Sequence, residues 1–197
     1  MEFRKLGELK LQERLGDGFF GETYIASSPD GSKNVALKKI RREFTDEPDF
    51  RSEWEKVFSR LSEISHPNLT TLQDWEEVTG NYWYTMDLAP GDGEGNRTLA
   101  SLVERHGGIL EASLLTGLLG GVLRATAELH SNGLYHGNLK PSNVLLYRLP
   151  DRRIVTKLTD AYQVAVTGHD KWLRKFRRAV RRSMKNRLES DSMGNFY

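Results

Sequence analysis

Three stretches of this 197-residue chain bring together side chains and backbone able to do chemistry. One is Gly16-Asp17-Gly18-Phe19-Phe20-Gly21, lying between Leu9 to Leu15 and Glu22 to Ala26, which both read as extended. Glycines lack a Cβ, so a hairpin built on them can close its backbone N–H groups over phosphates. Another is His136-Gly137-Asn138-Leu139-Lys140-Pro141-Ser142-Asn143. Its Asn138 can orient a hydroxyl by hydrogen bonding but cannot take the proton. The last is Asp160-Ala161-Tyr162. His66, His106, His130 and His169 show no metal-ligand spacing, so no zinc site is supported.

These stretches need elements to hold them. The residues after the glycine loop, Glu22-Thr23-Tyr24-Ile25-Ala26, alternate and are rich in β-formers, whereas a dinucleotide-binding loop would open a helix. A turn at Pro29-Asp30-Gly31 and a strand over Val35 to Ile40 follow. Phe50, Trp54, Val57, Phe58, Leu61 and Ile64 form the apolar stripe of a helix from about Phe50 to Ile64. Leu72 to Glu77 and Tyr82 to Asp87 read as a hairpin turning at Thr79-Gly80-Asn81. Residues 91–96 are a glycine-rich insertion, Leu99 to Glu104 a short helix, and Glu111 to Asn132 a long one stopped by Gly133. Val144-Leu145-Leu146 and Val155 to Thr159 read as a final strand pair.

The order strand, glycine loop, strand, turn and a strand ending in Val35-Ala36-Leu37-Lys38 resembles the N-lobe of the protein kinase family, of the eukaryotic Ser/Thr type. The segment from His136 resembles the kinase catalytic loop, H-R-D-L-x-x-x-N, with Gly137 in place of Arg and Asn138 in place of Asp. At that point the chain is similar to the inactive branch, the pseudokinases. The resemblance covers roughly residues 9–166 and implies ATP and Mg2+ as cofactors. It implies that Gly16, Gly18 and Gly21 cover the phosphates and that Lys38 neutralises them, while Lys39 points to the opposite face. Asp87 and Ala89 would fall in the hinge that presents backbone groups to adenine, with Met86 as gatekeeper. Lys140 would lie near the γ-phosphate, and Asn143 and Asp160 would hold magnesium.

A helix acid should hold Lys38. The family spacing counted back from His66 lands on Val57, so Glu53, one turn earlier on the same face, is expected in that role, ahead of Glu55. Loss of the base at Asn138 implies a rate penalty of ~10²–10⁴-fold. Gly137 removes the Arg that would receive an activation-loop phosphate, and Ala161 and Tyr162 replace the Phe and Gly of D-F-G. Tyr162 should stiffen or move that segment. His136 is expected to tie backbone together and carry no proton.

Composition sets the surroundings. The chain has no cysteine, no apolar run near the ~20 residues that span a bilayer and no secretory segment, which points to the cytoplasm. Residues 171–197 carry nine basic and two acidic side chains, and residues 1–170 carry 20 basic and 25 acidic. Trp172, Leu173, Phe176, Val180, Met184 and Leu188 form a helical apolar stripe among those basic residues. That helix is expected to dock on the shortened C-lobe with its charges toward an acidic body or protein partner; an anionic membrane or nucleic acid is the alternative. No A-P-E anchor or peptide-binding platform is recognisable after Asp160.

The expected fold class is α+β, a two-lobed kinase-like fold with a β-rich N-lobe (1–88), a shortened helical C-lobe (89–167) and a basic helical tail (168–197). The expected function is that of a pseudokinase that binds ATP with magnesium and serves as a scaffold or regulator. A low-activity Ser/Thr kinase is the alternative, and a small-molecule phosphotransferase ranks below it.

Overall fold

Alternating apolar residues in the N-terminal half build one antiparallel sheet. The computed structural model describes residues 5–28 and 30–193, with side chains for 7–28 and 30–186. Pro29 of the expected turn and the side chain of Leu188 therefore lie outside the described residues. The strands are β1 (Lys5–Leu6), β2 (Leu9–Asp17), β3 (Gly21–Ser27), β4 (Asn34–Ile40), β5 (Leu72–Val78) and β6 (Asn81–Asp87), ordered β1-β2-β3-β4-β6-β5. On β4 the side chains alternate in face: Val35 and Leu37 pack with Leu11, Ala26 and Trp83, while Ala36 and Ile40 enter the main core. Lys38 shares the parity of Ala36 and is buried with it.

A short helix α1 (Arg42–Thr45) and the longer α2 (Phe50–Ser62) cover the inner face of the sheet. Trp54, Val57 and Phe58 of α2 are buried there, with Trp54 and Phe58 stacked at 3.7 Å between ring centroids. Asn68 joins this half to the next. Its Nδ2 donates to the Thr156 carbonyl (2.8 Å), its carbonyl accepts from the Leu158 amide (2.7 Å), and Arg124 Nε donates to its side chain (3.1 Å).

The second half is helical around a small hairpin. Helix α3 (Leu99–Arg105) begins at Thr98, which exchanges capping hydrogen bonds with Ser101. Helix α4 (Ala112–Ser131) packs Leu118, Ala125 and Leu129 against the hairpin β7 (Val144–Arg148) and β8 (Ile154–Leu158), and stops where Gly133 takes φ +64°. A five-residue helix α5 (Gln163–Thr167) and a 25-residue helix α6 (His169–Met193) complete the described residues. The architecture is α+β, a sheet-rich N-lobe joined to a short helical C-lobe region. No helix among the described residues is long and apolar enough to cross a membrane.

The apolar stripe of α6 docks differently from expectation. It lies on the N-lobe, not on the C-lobe: Trp172 and Phe176 stack on each other at 4.9 Å and meet Phe19, at the tip of the glycine loop, edge-on at 5.9 and 5.5 Å. Lys175 pairs with Glu47 (2.8 Å) and Lys171 with Asp49 (3.2 Å). The physical reason is charge and shape together. Glu43 of α1 and Asp46, Glu47 and Asp49 of the turn before α2 lie close together in the chain, beside an aromatic ridge that would otherwise face water.

Candidate active site

A cavity of about 380 Å³ opens between the lobes, within the range of small-molecule sites. Gly16, Gly18, Lys38, Ala89, Lys140, Asn143 and Asp160, drawn from five separate segments, all line it. Leu15, Ala36, Met86 and Leu145 give it apolar walls. Gly21, Asp87, Asn138 and Glu53 are not part of its wall. Gly21 sits within β3, where a Cβ would collide with the carbonyl oxygen of Lys39 on β4. The Asp87 carbonyl accepts from the Tyr147 hydroxyl (3.2 Å), and the Ala89 carbonyl accepts from Arg97 Nη1 (2.6 Å).

At the back of the cavity Lys38 Nζ donates to Asp160 Oδ2 in a buried ion pair. Gln163 Nε2 donates to the same oxygen (2.9 Å), and the Tyr84 hydroxyl donates to Oδ1 (2.9 Å). Burial alone would push the Asp160 carboxyl up, but the Lys38 ammonium and the donated hydrogen bonds hold it below the ordinary carboxylate value. Burial, with the Asp160 charge beside it, pushes the Tyr84 hydroxyl well above its usual range.

Glu53 does not hold Lys38. Its side chain is 40% exposed and faces Lys56 at 3.8 Å, on the outer side of α2. The inner positions of that helix are Trp54, Val57 and Phe58, so α2 offers Lys38 an apolar surface and Asp160 takes the ammonium instead. Glu55 is likewise outward, paired with Arg51 at 3.1 Å.

The segment after Asp160 explains the rest. Asp160 adopts φ +66°, an uncommon value for a residue with a Cβ, and Tyr162 follows at φ −114° as the cap of α5. The Tyr162 ring is buried among Phe20, Trp54, Phe58 and Tyr84, with centroids at 5.6, 6.3, 5.0 and 5.1 Å. That anchors α5 beneath α2 and over the catalytic-loop segment. Gly137 lies directly under it at φ +66°, where a Cβ would fall 2.8 Å from Val164 Cβ, so an Arg has neither the backbone conformation nor the space. Asn138 Nδ2 donates to Gln163 Oε1 (2.9 Å), which completes a polar chain Asn138–Gln163–Asp160–Lys38.

His136 holds the loop from below. Its Nε2 donates to the Thr159 carbonyl (2.8 Å), and its Nδ1 accepts from the Asn138 amide (3.2 Å). Burial pushes its pKa down, so it stays neutral. Asn143 Nδ2 donates to the Asn138 carbonyl (2.9 Å). Lys140 is exposed at the mouth of the cavity.

Sequence reading missed Gln163, Tyr84 and Phe19. Gln163 carries no local signal. Tyr84 reads as one more inward residue of β6, and its contact with Asp160 arises from the tertiary fold. Phe19 did give a hint, since a phenylalanine at an exposed loop tip needs a cover, and the Trp172/Phe176 stripe is an apolar face needing a surface.

The fit to magnesium is poor. Oδ2 of Asp160 already accepts from both Lys38 and Gln163 and Oδ1 from Tyr84, and Asn143 supplies a single neutral amide oxygen.

Comparison with known proteins agrees with the fold. The family model described as "Protein kinase domain" matches residues 9–170. The serine/threonine-protein kinase PknF of Mycobacterium tuberculosis is 28% identical over 147 residues, 74% of this chain and 30% of that protein. The human calcium/calmodulin-dependent protein kinase type 1B is 36% identical over 141 residues, 72% of this chain and 38% of that protein. The chain thus spans about a third of the length of these relatives. The crystal structure of the M. tuberculosis PknI kinase domain superposes with a TM-score of 0.66 at 22% identity, covering 82% of this chain and 63% of that one. With strand order, glycine loop, Lys38, catalytic-loop segment and Asp160 in place, the chain belongs to the protein kinase family.

Proposed function

We propose that this chain is a pseudokinase: it binds a nucleotide in the cleft between its lobes, does not transfer the phosphoryl group at a useful rate, and acts through its surfaces. The observation that carries the reading is Asn138. At the position of the family's base stands an amide whose nitrogen donates to Gln163, and an amide cannot accept the hydroxyl proton. Lys38 and Lys140 line a cavity of suitable size, which supports nucleotide binding. The lobes divide near residues 88 and 167 in this reading, and the tail from residue 168 is the effector part. Lys171 and Lys175 of α6 face the chain's own acidic cluster. Arg174, Arg177, Arg178, Arg181 and Arg182 are exposed and suit an acidic protein partner in the cytoplasm.

A low-activity Ser/Thr kinase is the second reading, favoured by the convergence of Lys38, Lys140, Asn143 and Asp160 on one cavity. Phosphoryl transfer is mostly positioning and electrostatics, so an absent base slows it without forbidding it. Transfer of labelled γ-phosphate to a generic Ser/Thr substrate separates the two. The pseudokinase reading expects no transfer above background from the wild type and none from Asn138→Asp, because Gln163 and α5 still cover the loop. Transfer by the wild type, or a gain of about 10²-fold or more in Asn138→Asp, establishes a kinase site instead.

A further inference from the structure

We propose that the cleft takes its nucleotide without a divalent cation, an inference that rests on the nucleotide-binding reading above. Asp160 is the carboxylate at the back of the cavity, and its three close donors are Lys38, Gln163 and Tyr84. A metal ion there must displace an ammonium from a side chain only 7% exposed, or sit beside that ammonium as a like charge. Among the described residues Lys38 has no second acid to move to. Glu53 faces Lys56 at the surface, and the inward position one turn on is Val57. The other carboxylate on the cavity wall, Asp17, is already paired with Arg14 and Arg41 at the exposed rim.

The phosphates are instead met by ammonium groups. Lys38 has three N–H donors and shares one with Asp160, so it can still donate to an anion entering the cavity. Lys140 at the mouth supplies a second cation. Tyr84 and Gln163 are therefore the residues that set cation use in this site. Gln163, with Lys38, takes up both lone pairs of Oδ2, and Tyr84 takes one of Oδ1, which leaves a metal a single lone pair on this carboxylate.

The test is a calorimetric titration of the purified chain with ATP, once in excess EDTA and once in excess magnesium chloride. The expected result is binding in both, with dissociation constants less than about tenfold apart, which is about 1.4 kcal/mol of metal-linked affinity. Binding seen with magnesium but lost in EDTA overturns the inference and leaves the nucleotide-binding reading standing. No heat in either solution, from a chain whose circular dichroism is that of a folded protein, overturns both. In Tyr84→Phe/Gln163→Leu, which removes two of the three donors, magnesium is expected to tighten ATP by more than about tenfold. An unchanged ratio in a folded double variant contradicts the role given to those two residues.

Discussion

Lys38 and Asp160 meet at the back of the cleft with their side chains almost fully buried, and this makes each dependent on the other. Deleting one partner of a buried pair strands the other's charge, at a typical cost of about 3–5 kcal/mol. Asp160→Asn is therefore expected to lower the unfolding free energy by about that much in urea titrations, and a loss under about 1 kcal/mol contradicts the pairing. Because the Asp160 pKa is depressed in the fold, the unfolded chain binds its proton first on acidification. Its stabilisation is thus whole above about pH 4 and is lost as pH falls through the lowered native value. His136 has the same sign at a higher pH. It is held neutral below its ordinary value of 6.5, so stability should decline as the pH drops beneath that value, and a charged ring would lose the bond that Nδ1 accepts from Asn138. Midpoints of urea unfolding at pH 7.5 and 5.5, compared with His136→Gln, check this; an equal pH slope in the two proteins rules it out. At this scale the sequence showed which groups were missing, namely the acid at 138 and the Arg at 137. It could not show their consequences, because Gln163 and Val164 approach from a different segment.

The strands and the two long helices were legible because their apolar periods are unambiguous: β4, α2 and α4 each fall within a few residues of the expected span. Helix α5 was not. Gln163-Val164-Ala165-Val166-Thr167 is short and rich in β-branched residues, with nothing local to favour a helix. Tertiary burial of Tyr162 and Val166 under α2 decides its conformation, and Gly168 at φ +73° ends it. Helix α6 was legible as a helix but not in its docking, since the acidic cluster that receives it is assembled from α1 and the turn before α2. Its contact with Phe19 couples the tail to the glycine loop. Trp172→Ala should therefore loosen both at once. Amide exchange is expected to quicken in α6 and in residues 17–21 together, and more so at high salt, which weakens the Lys171 and Lys175 pairs with Glu47 and Asp49. Faster exchange confined to α6, with residues 17–21 unaltered, contradicts the coupling.

As a whole molecule the chain keeps the parts of the kinase fold that form a cleft, and Gln163 and Val164 of α5 lie against Asn138 and Gly137 of the catalytic-loop segment. The two halves meet through Asn68 and the hairpin β7–β8, and the polar chain from Asn138 to Lys38 runs along their junction. Sequence order was enough to place Lys38, Lys140, Asn143 and Asp160 in one cavity, because the family's strand and loop sequence is intact. It misplaced the partner of Lys38, because α2 turns its acids to water and its aromatic face to Tyr162. The central claim is that the cleft still binds a nucleotide. The most direct test is a thermal melt of the purified chain with and without ATP at about 100 times its dissociation constant. The account predicts about 2.7 kcal/mol of added stability, a rise of about 5–10 °C in Tm for a protein of this size. An unchanged Tm at saturating ATP, with and without magnesium, contradicts it and leaves the fold as a scaffold with an idle cleft.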